Sequence, residues 1–84
     1  MTTLEIRMQA IRTINQVITL KANVANGCFS DKAELAALEP RLASIKDWAV
    51  TANQLQEIRL YLSHKNFGQN AQFAASEIAN YFNN

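Results

Sequence analysis

The chain contains few of the residues that usually mark a chemical site. Its 84 residues include one cysteine, one histidine, one proline and two glycines. A single cysteine, Cys28, excludes an internal disulfide, and together with the lone histidine, His64, it cannot supply the ligands of a zinc site. The two glycines, Gly27 and Gly68, are too far apart for a phosphate-binding loop. We therefore expect no enzyme activity, no cofactor and no bound metal.

Charge and long apolar runs are also scarce. Charged residues make up 18% of the chain, and eight Lys and Arg oppose seven Asp and Glu. This balance does not favour binding to nucleic acid or to an anionic membrane. No apolar run approaches the roughly 20 residues that span a bilayer, and Glu5 and Arg7 interrupt the N-terminal segment where a signal peptide would be apolar. We expect a cytoplasmic protein with a single helical domain over residues 1–84.

Apolar surface on the first helix is what the chain has in excess. Thr2 and Glu5 have the spacing of a capping box. Asn26 and Gly27 tolerate the left-handed conformation that ends helices, so this helix should end near Ala25. Its apolar residues cover an arc of roughly 200°, whereas a surface helix needs a stripe only a little over about 100° wide. Such a helix must pack on two sides, within its own domain or against a partner.

Start and stop signals predict further helices along the rest of the chain. Ser30 or Asp31 can cap a short helix that ends near Leu38, and Pro40 suits the start of the next one. Asn70 can cap a final helix over about residues 71–82.

Residues 40–65 allow two interpretations. They can form one long helix with a heptad pattern, or two helices over about 40–49 and 52–65. The second interpretation uses Thr51 and Gln54 as a capping box, with Val50 and Leu55 as a hydrophobic staple. We favour the break because these two start signals coincide.

The elements together predict an all-α fold. No segment alternates polar and apolar residues as a strand does, so we expect a compact bundle or orthogonal array of four to five helices with a long N-terminal helix. The predicted core places residues of the middle segment against helix 1: Trp48, Leu55, Ile58 and Leu62 against Ile11 and Ile18.

Three cations interrupt apolar faces. Arg7 and Lys21 lie inside the apolar arc of helix 1, and Arg59 breaks the heptad pattern of residues 40–65. Their aliphatic stems can cover the edge of the core while the charged heads reach water or a carboxylate. Alternatively, the heads contact an acidic partner, and for Arg59 the choices also include Glu57 or a ligand.

Aromatic residues concentrate in the C-terminal half. Tyr81 and Phe82 have little chain left after them to bury their rings, so we expect both to be exposed contacts. Arginine and aromatic residues are enriched among binding hot spots. The predicted partner-binding residues are therefore Arg7, Lys21, Arg59, Tyr81 and Phe82.

These features predict a non-enzymatic protein–protein interaction module. It would be an adaptor, a regulatory subunit or a stoichiometric inhibitor of a larger protein, such as a phage-type antagonist of a host, and helix 1 would also support a homodimer. The alternative is a small helical nucleic-acid-binding regulator that uses a patch of cations: Arg7, Arg12, Lys21, Arg41 and Lys46. The final helix carries no Lys or Arg, which disfavours its use as a DNA-reading helix.

Overall fold

Helices account for all the regular structure of the chain. The computed structural model describes residues 1–84, and it contains five α-helices and two 3-10 turns. The α-helices are α1 (Thr3–Ala25), α2 (Lys32–Leu38), α3 (Arg41–Thr51), α4 (Leu55–His64) and α5 (Gln72–Asn83), and the 3-10 turns precede α2 at Phe29–Asp31 and α5 at Gln69–Ala71. The predicted all-α class, the long first helix and the break within residues 40–65 are confirmed.

The two ends of α1 follow from local sequence. Thr2 Oγ1 accepts from the Glu5 amide at 3.1 Å, and Glu5 Oε1 accepts from the Thr2 amide at 3.1 Å, which completes the predicted capping box. At the other end Gly27 adopts φ +103°, and the Cys28 amide donates to Asn23 O at 2.8 Å. This is a Schellman ending, which needs a residue that tolerates the left-handed region.

The break between α3 and α4 has a different cause from the predicted one. Asn53 adopts φ +58°, and the Gln54 amide donates to Ala49 O at 2.7 Å, so α3 closes with its own Schellman ending. Thr51 is the last residue of α3, and no side chain caps the start of α4. The predicted capping box at Thr51 is therefore wrong, because the residues at this break end α3 and do not cap α4.

Two other predicted caps are also wrong. No side chain caps α2 or α5, and each of these helices continues from a 3-10 turn instead. Asp31 accepts from Asn23 Nδ2 at 3.0 Å, so its carboxylate ties the start of α2 to α1.

The core lies between the middle of α1 and the inner faces of α3, α4 and α5. It contains no buried polar side chain, and its buried members are Ile14, Val17, Ile18, Leu42, Ala49, Ile58, Leu62, Ala74, Ala75, Ile78 and Phe82. The predicted burial of Ile18, Ile58 and Leu62 is confirmed. Trp48 and Leu55 are only partly buried at the margin of this core, and Ile11 is partly exposed.

The length of α1 exceeds what the other helices cover. Its 23 residues span about 34 Å, close to the longest dimension of the molecule, 37 Å. The helix packs against α2, α3, α5 and both 3-10 turns, and the bonds from Asn23 to Asp31 and from Lys21 to Glu77 lie in its C-terminal half. The first buried residue of α1 is Ala10, so the N-terminal turns keep one side uncovered.

We expect the start of α1 to loosen in acid. The hydrogen bond from the Thr2 backbone, and then that from its side chain, hold the pKa of the Glu5 carboxyl below its ordinary value. A lowered folded-state pKa stabilises the helix end above the unfolded pKa, and this stabilisation disappears as pH falls through the folded value. An NMR titration below about pH 4 should show the Thr2 amide shift following Glu5 protonation. Glu5→Gln, which cannot titrate, should remove that response, and a Glu5 that titrates like an unstructured peptide would contradict the prediction.

Candidate interaction surface

Two hydrogen-bonded side-chain pairs join α1 to α4 and to Gln54, the residue before it. Arg7 Nη1 donates to Gln54 Oε1 at 2.7 Å, and the Tyr61 hydroxyl donates to Asn15 Oδ1 at 2.9 Å. The sequence separations of the two pairs are 47 and 46 residues, so the helices run in the same direction. Ile11 lies midway between Arg7 and Asn15 on α1, and neither hydrogen-bonded pair involves it.

A groove opens between these helices at Ile11. The α1–α4 groove has a volume of about 470 Å³ and is lined by Arg7, Ile11, Glu57, Leu60, Tyr61, His64 and Lys65. On the other side of Ile11 a second groove of about 570 Å³ runs along α1 to Glu34 of α2, and its other lining residues all belong to α1: Met8, Ile11, Arg12, Asn15, Gln16, Thr19 and Leu20. Because Ile11 lines both, the two grooves form one continuous surface.

Large apolar side chains project from this surface into solvent. Leu4 is 53% exposed and Met8 is 55% exposed, and with the partly exposed Ile11 they form a row that we call the α1 strip. Leu60, across the α1–α4 groove, is 42% exposed. Single exposed apolar residues are common on proteins, but a row of them beside a groove is typical of an interaction surface.

The predicted site residue Lys21 pairs with two carboxylates of its own chain. Its Nζ lies 3.2 Å from Glu77 Oε2 and 3.6 Å from Glu39 Oε1, so it links α1 to α5 and to the end of α2. Arg7, in contrast, borders the α1–α4 groove and keeps one hydrogen bond to Gln54. Only Arg7 of this pair therefore lies on the uncovered surface.

Arg59 and Lys46 bind the C-terminal turn of α5. Arg59 Nε donates to Phe82 O at 2.8 Å, and Lys46 Nζ donates to Tyr81 O at 2.7 Å while lying 4.7 Å from the centre of the Tyr81 ring. The last carbonyls of a helix have no partner within the helix and carry partial negative charge, so two cations stabilise them well. Arg59 interrupts the apolar face of α4 because its side chain caps the C-terminal end of α5.

The two C-terminal aromatic residues differ sharply in exposure. Phe82 is 0% exposed, so the expectation that it forms an exposed contact is wrong. It occupies the same face of α5 as Ala74, Ala75 and Ile78, and it packs in the core. Tyr81 lies on the outside of the helix and is exposed. The roles of Arg7, Lys21, Arg59 and Tyr81 in partner binding stay predictions.

The structure contains no cluster of potential metal ligands elsewhere. No three His, Cys, Asp or Glu side chains lie together as potential metal ligands, and no helix combines the length and apolar character needed to cross a membrane. Cys28 and His64 are exposed. Three cations of the alternative nucleic-acid patch, Arg7, Lys21 and Lys46, already have partners within the chain.

Comparison of the chain with models of protein families, with curated proteins and with solved structures finds no match. Function therefore has to be inferred from the exposed surface itself.

Sequence reasoning missed the residues that dominate that surface. The helical arc includes Leu4, Met8 and Ile11, but the pattern alone does not say which edge of a 200° arc faces the core. Leu60 carries no distinguishing signal, since it is one of several apolar residues in α4. The available signal for the α1 strip was a second row of apolar residues, with the same spacing of four and three as the core residues Ala10, Ile14 and Val17 but on another face of the helix.

Proposed function

We propose that this chain is a non-enzymatic protein–protein interaction module that binds through the α1 strip and the adjoining α1–α4 groove. It would act as an adaptor, a regulatory subunit or a stoichiometric inhibitor of another protein. The observation that carries this proposal is that Leu4 and Met8, in the N-terminal half of α1, are each more than half exposed, while Ile11 and Leu60 line the adjoining groove.

Burial of this surface by a partner is energetically favourable. Covering a Leu or Met side chain contributes about 1.5–3 kcal/mol relative to leaving it in water. The row on α1 and the groove beside it suit an apolar helix face, which docks through side chains spaced by three and four residues. Such a surface favours binding when a partner buries it, and this function needs no catalytic group.

Charges around the surface favour selectivity over bulk attraction. Its lining includes Arg7, Arg12 and Lys65 as well as Glu34 and Glu57. Mixed signs give a partner of matching pattern an advantage and disfavour a uniformly charged one such as nucleic acid.

We expect Met8→Glu and Leu60→Glu each to weaken partner binding by at least about tenfold, because a carboxylate would be buried against apolar groups. Affinity capture identifies the partner, and a titration with the purified partner then gives the dissociation constants. Val50→Glu is the matched control, since Val50 is also exposed but lies on α3.

The controls separate this proposal from its alternative. Each variant must first show wild-type helicity at the temperature of the binding assay, so that lost binding is not due to unfolding. If Met8→Glu and Leu60→Glu bind as tightly as Val50→Glu, the proposed surface is wrong. Binding that instead weakens steeply with salt would indicate phosphate contacts and the nucleic-acid alternative.

A further inference from the structure

We infer that the α1 strip is the interface of an antiparallel homodimer, in which the N-terminal halves of two α1 helices pack against each other. This inference rests on the proposed function, because it names a second copy of this chain as the occupant of the α1 strip and leaves the α1–α4 groove to the other protein. The α1–α4 groove with Leu60 would remain beside the interface.

The spacing of the strip is that of a coiled-coil seam. Leu4, Met8 and Ile11 are separated by four and three residues, and Asn15 follows after four more. Alternation of three and four residues keeps one row of side chains facing a partner helix. Asn15 is held by the Tyr61 hydroxyl, so its amide already has a partner when the seam closes.

Charges beside the seam select the antiparallel arrangement. Glu5 and Arg12 lie seven residues apart on the same flank of the seam, and Arg7 lies on the other flank, next to α4. When two such helices run antiparallel with Met8 opposite Ile11, Glu5 of each copy faces Arg12 of the other. A parallel pair would instead bring Arg7 of one copy to Arg12 of the other, twice, and like charges repel there.

The second groove, which runs along α1 to α2, provides room for the second copy. In the antiparallel arrangement Leu4 of the second copy lies opposite Asn15, which lines this groove of about 570 Å³ with Ile11 and Thr19. Arg12 lines the same groove with Glu34 of α2, and it forms no ion pair within the chain, since the ion pairs of the structure both use Lys21. It can therefore meet Glu5 of the second copy. In a two-fold dimer each copy must carry both the projecting side chains and the space that receives those of the other copy. This surface of α1 carries both.

A pair of charge variants tests both the dimer and its orientation. The protein with Arg12→Glu has acids at both flank positions, and the protein with Glu5→Lys has cations at both. We expect wild type to dimerise in the micromolar range by sedimentation equilibrium, and each variant alone to self-associate at least about tenfold more weakly. Mixed in equal amounts, the two variants should form a heterodimer with near wild-type affinity, because each acid again faces a cation. Met8→Glu should abolish the dimer, and Val50→Glu should leave it unchanged.

The results can overturn the inference in distinct ways. A wild-type protein that stays monomeric up to high micromolar concentration overturns it, while the proposed function would still be supported if Met8→Glu or Leu60→Glu lost the purified heterologous partner. Stronger self-association of Arg12→Glu would indicate a parallel pair, since Arg7 would then face an acid, and would overturn the antiparallel dimer. Failure of the two variants to associate when mixed also overturns it. Circular dichroism of the Glu5→Lys protein shows whether loss of the capping box has unfolded α1.

Discussion

Phe82→Ala is expected to bring the domain close to global unfolding. The Phe82 side chain is completely buried in the core near the end of α5, and its carbonyl receives the Arg59 hydrogen bond. Removal of a buried Phe ring typically costs about 3–5 kcal/mol. A domain of this size has a free energy of unfolding at the low end of the usual range, about 5 kcal/mol. Thermal melting followed by far-ultraviolet circular dichroism should show a large fall in the melting temperature or no folded baseline.

Phe73→Ala is the matched control for this prediction. Phe73 is on the same helix but is exposed, so its removal should change stability by no more than about 0.5 kcal/mol. The two variants must differ strongly in melting temperature if α5 packs as described. Equal melting would mean that α5 presents the opposite face to the core, with Phe82 available to a partner as the sequence suggested.

Ile14→Asp should also unfold the chain. Ile14 is 0% exposed and lies on the face of α1 that packs in the core, away from the α1 strip. The substitution removes apolar contacts and buries a carboxylate with no partner, which together cost more than about 4 kcal/mol. Chemical denaturation with urea measures this loss, and gel filtration shows whether any folded species remains.

Gln16→Asp gives the comparison within the same helix. Gln16 is exposed on the outer face of α1, so this variant should fold with nearly wild-type stability. A folded, monomeric Ile14→Asp protein would contradict the structure, because it would place Ile14 in an interface between molecules. The apolar arc of α1 does not by itself distinguish core side chains from interface side chains.

Helix ends were predictable where the signal lay within a few residues. The capping box of Thr2 and Glu5 and the stop at Gly27 depend only on neighbouring backbone groups, and both form as predicted. The break after Thr51 was predicted at the right place for the wrong reason. Asn53 ends α3 because it adopts the left-handed conformation. Asn tolerates this conformation but does not always adopt it, so the residue type alone does not predict the helix end.

The candidate site was less predictable because its residues are those that no other helix covers. The sequence showed that α1 has more apolar surface than one packing contact needs. It did not show that α2, α3 and α5 pack against α1 and leave Leu4 and Met8 exposed. Arg59 looked available for a partner because its acceptor, the carbonyl of Phe82, lies 23 residues away in sequence.

Local sequence therefore accounts for the all-α class, the bounds of α1, the break in residues 40–65 and the excess of apolar surface, because caps and periodicity act over a few residues. Packing of the whole chain makes Phe82 a core residue, directs Lys21, Lys46 and Arg59 to neighbouring helices, and leaves the α1 strip uncovered. Those outcomes depend on which distant side chains and carbonyls reach the same place, and the free energy of packing sets that choice for the whole chain at once.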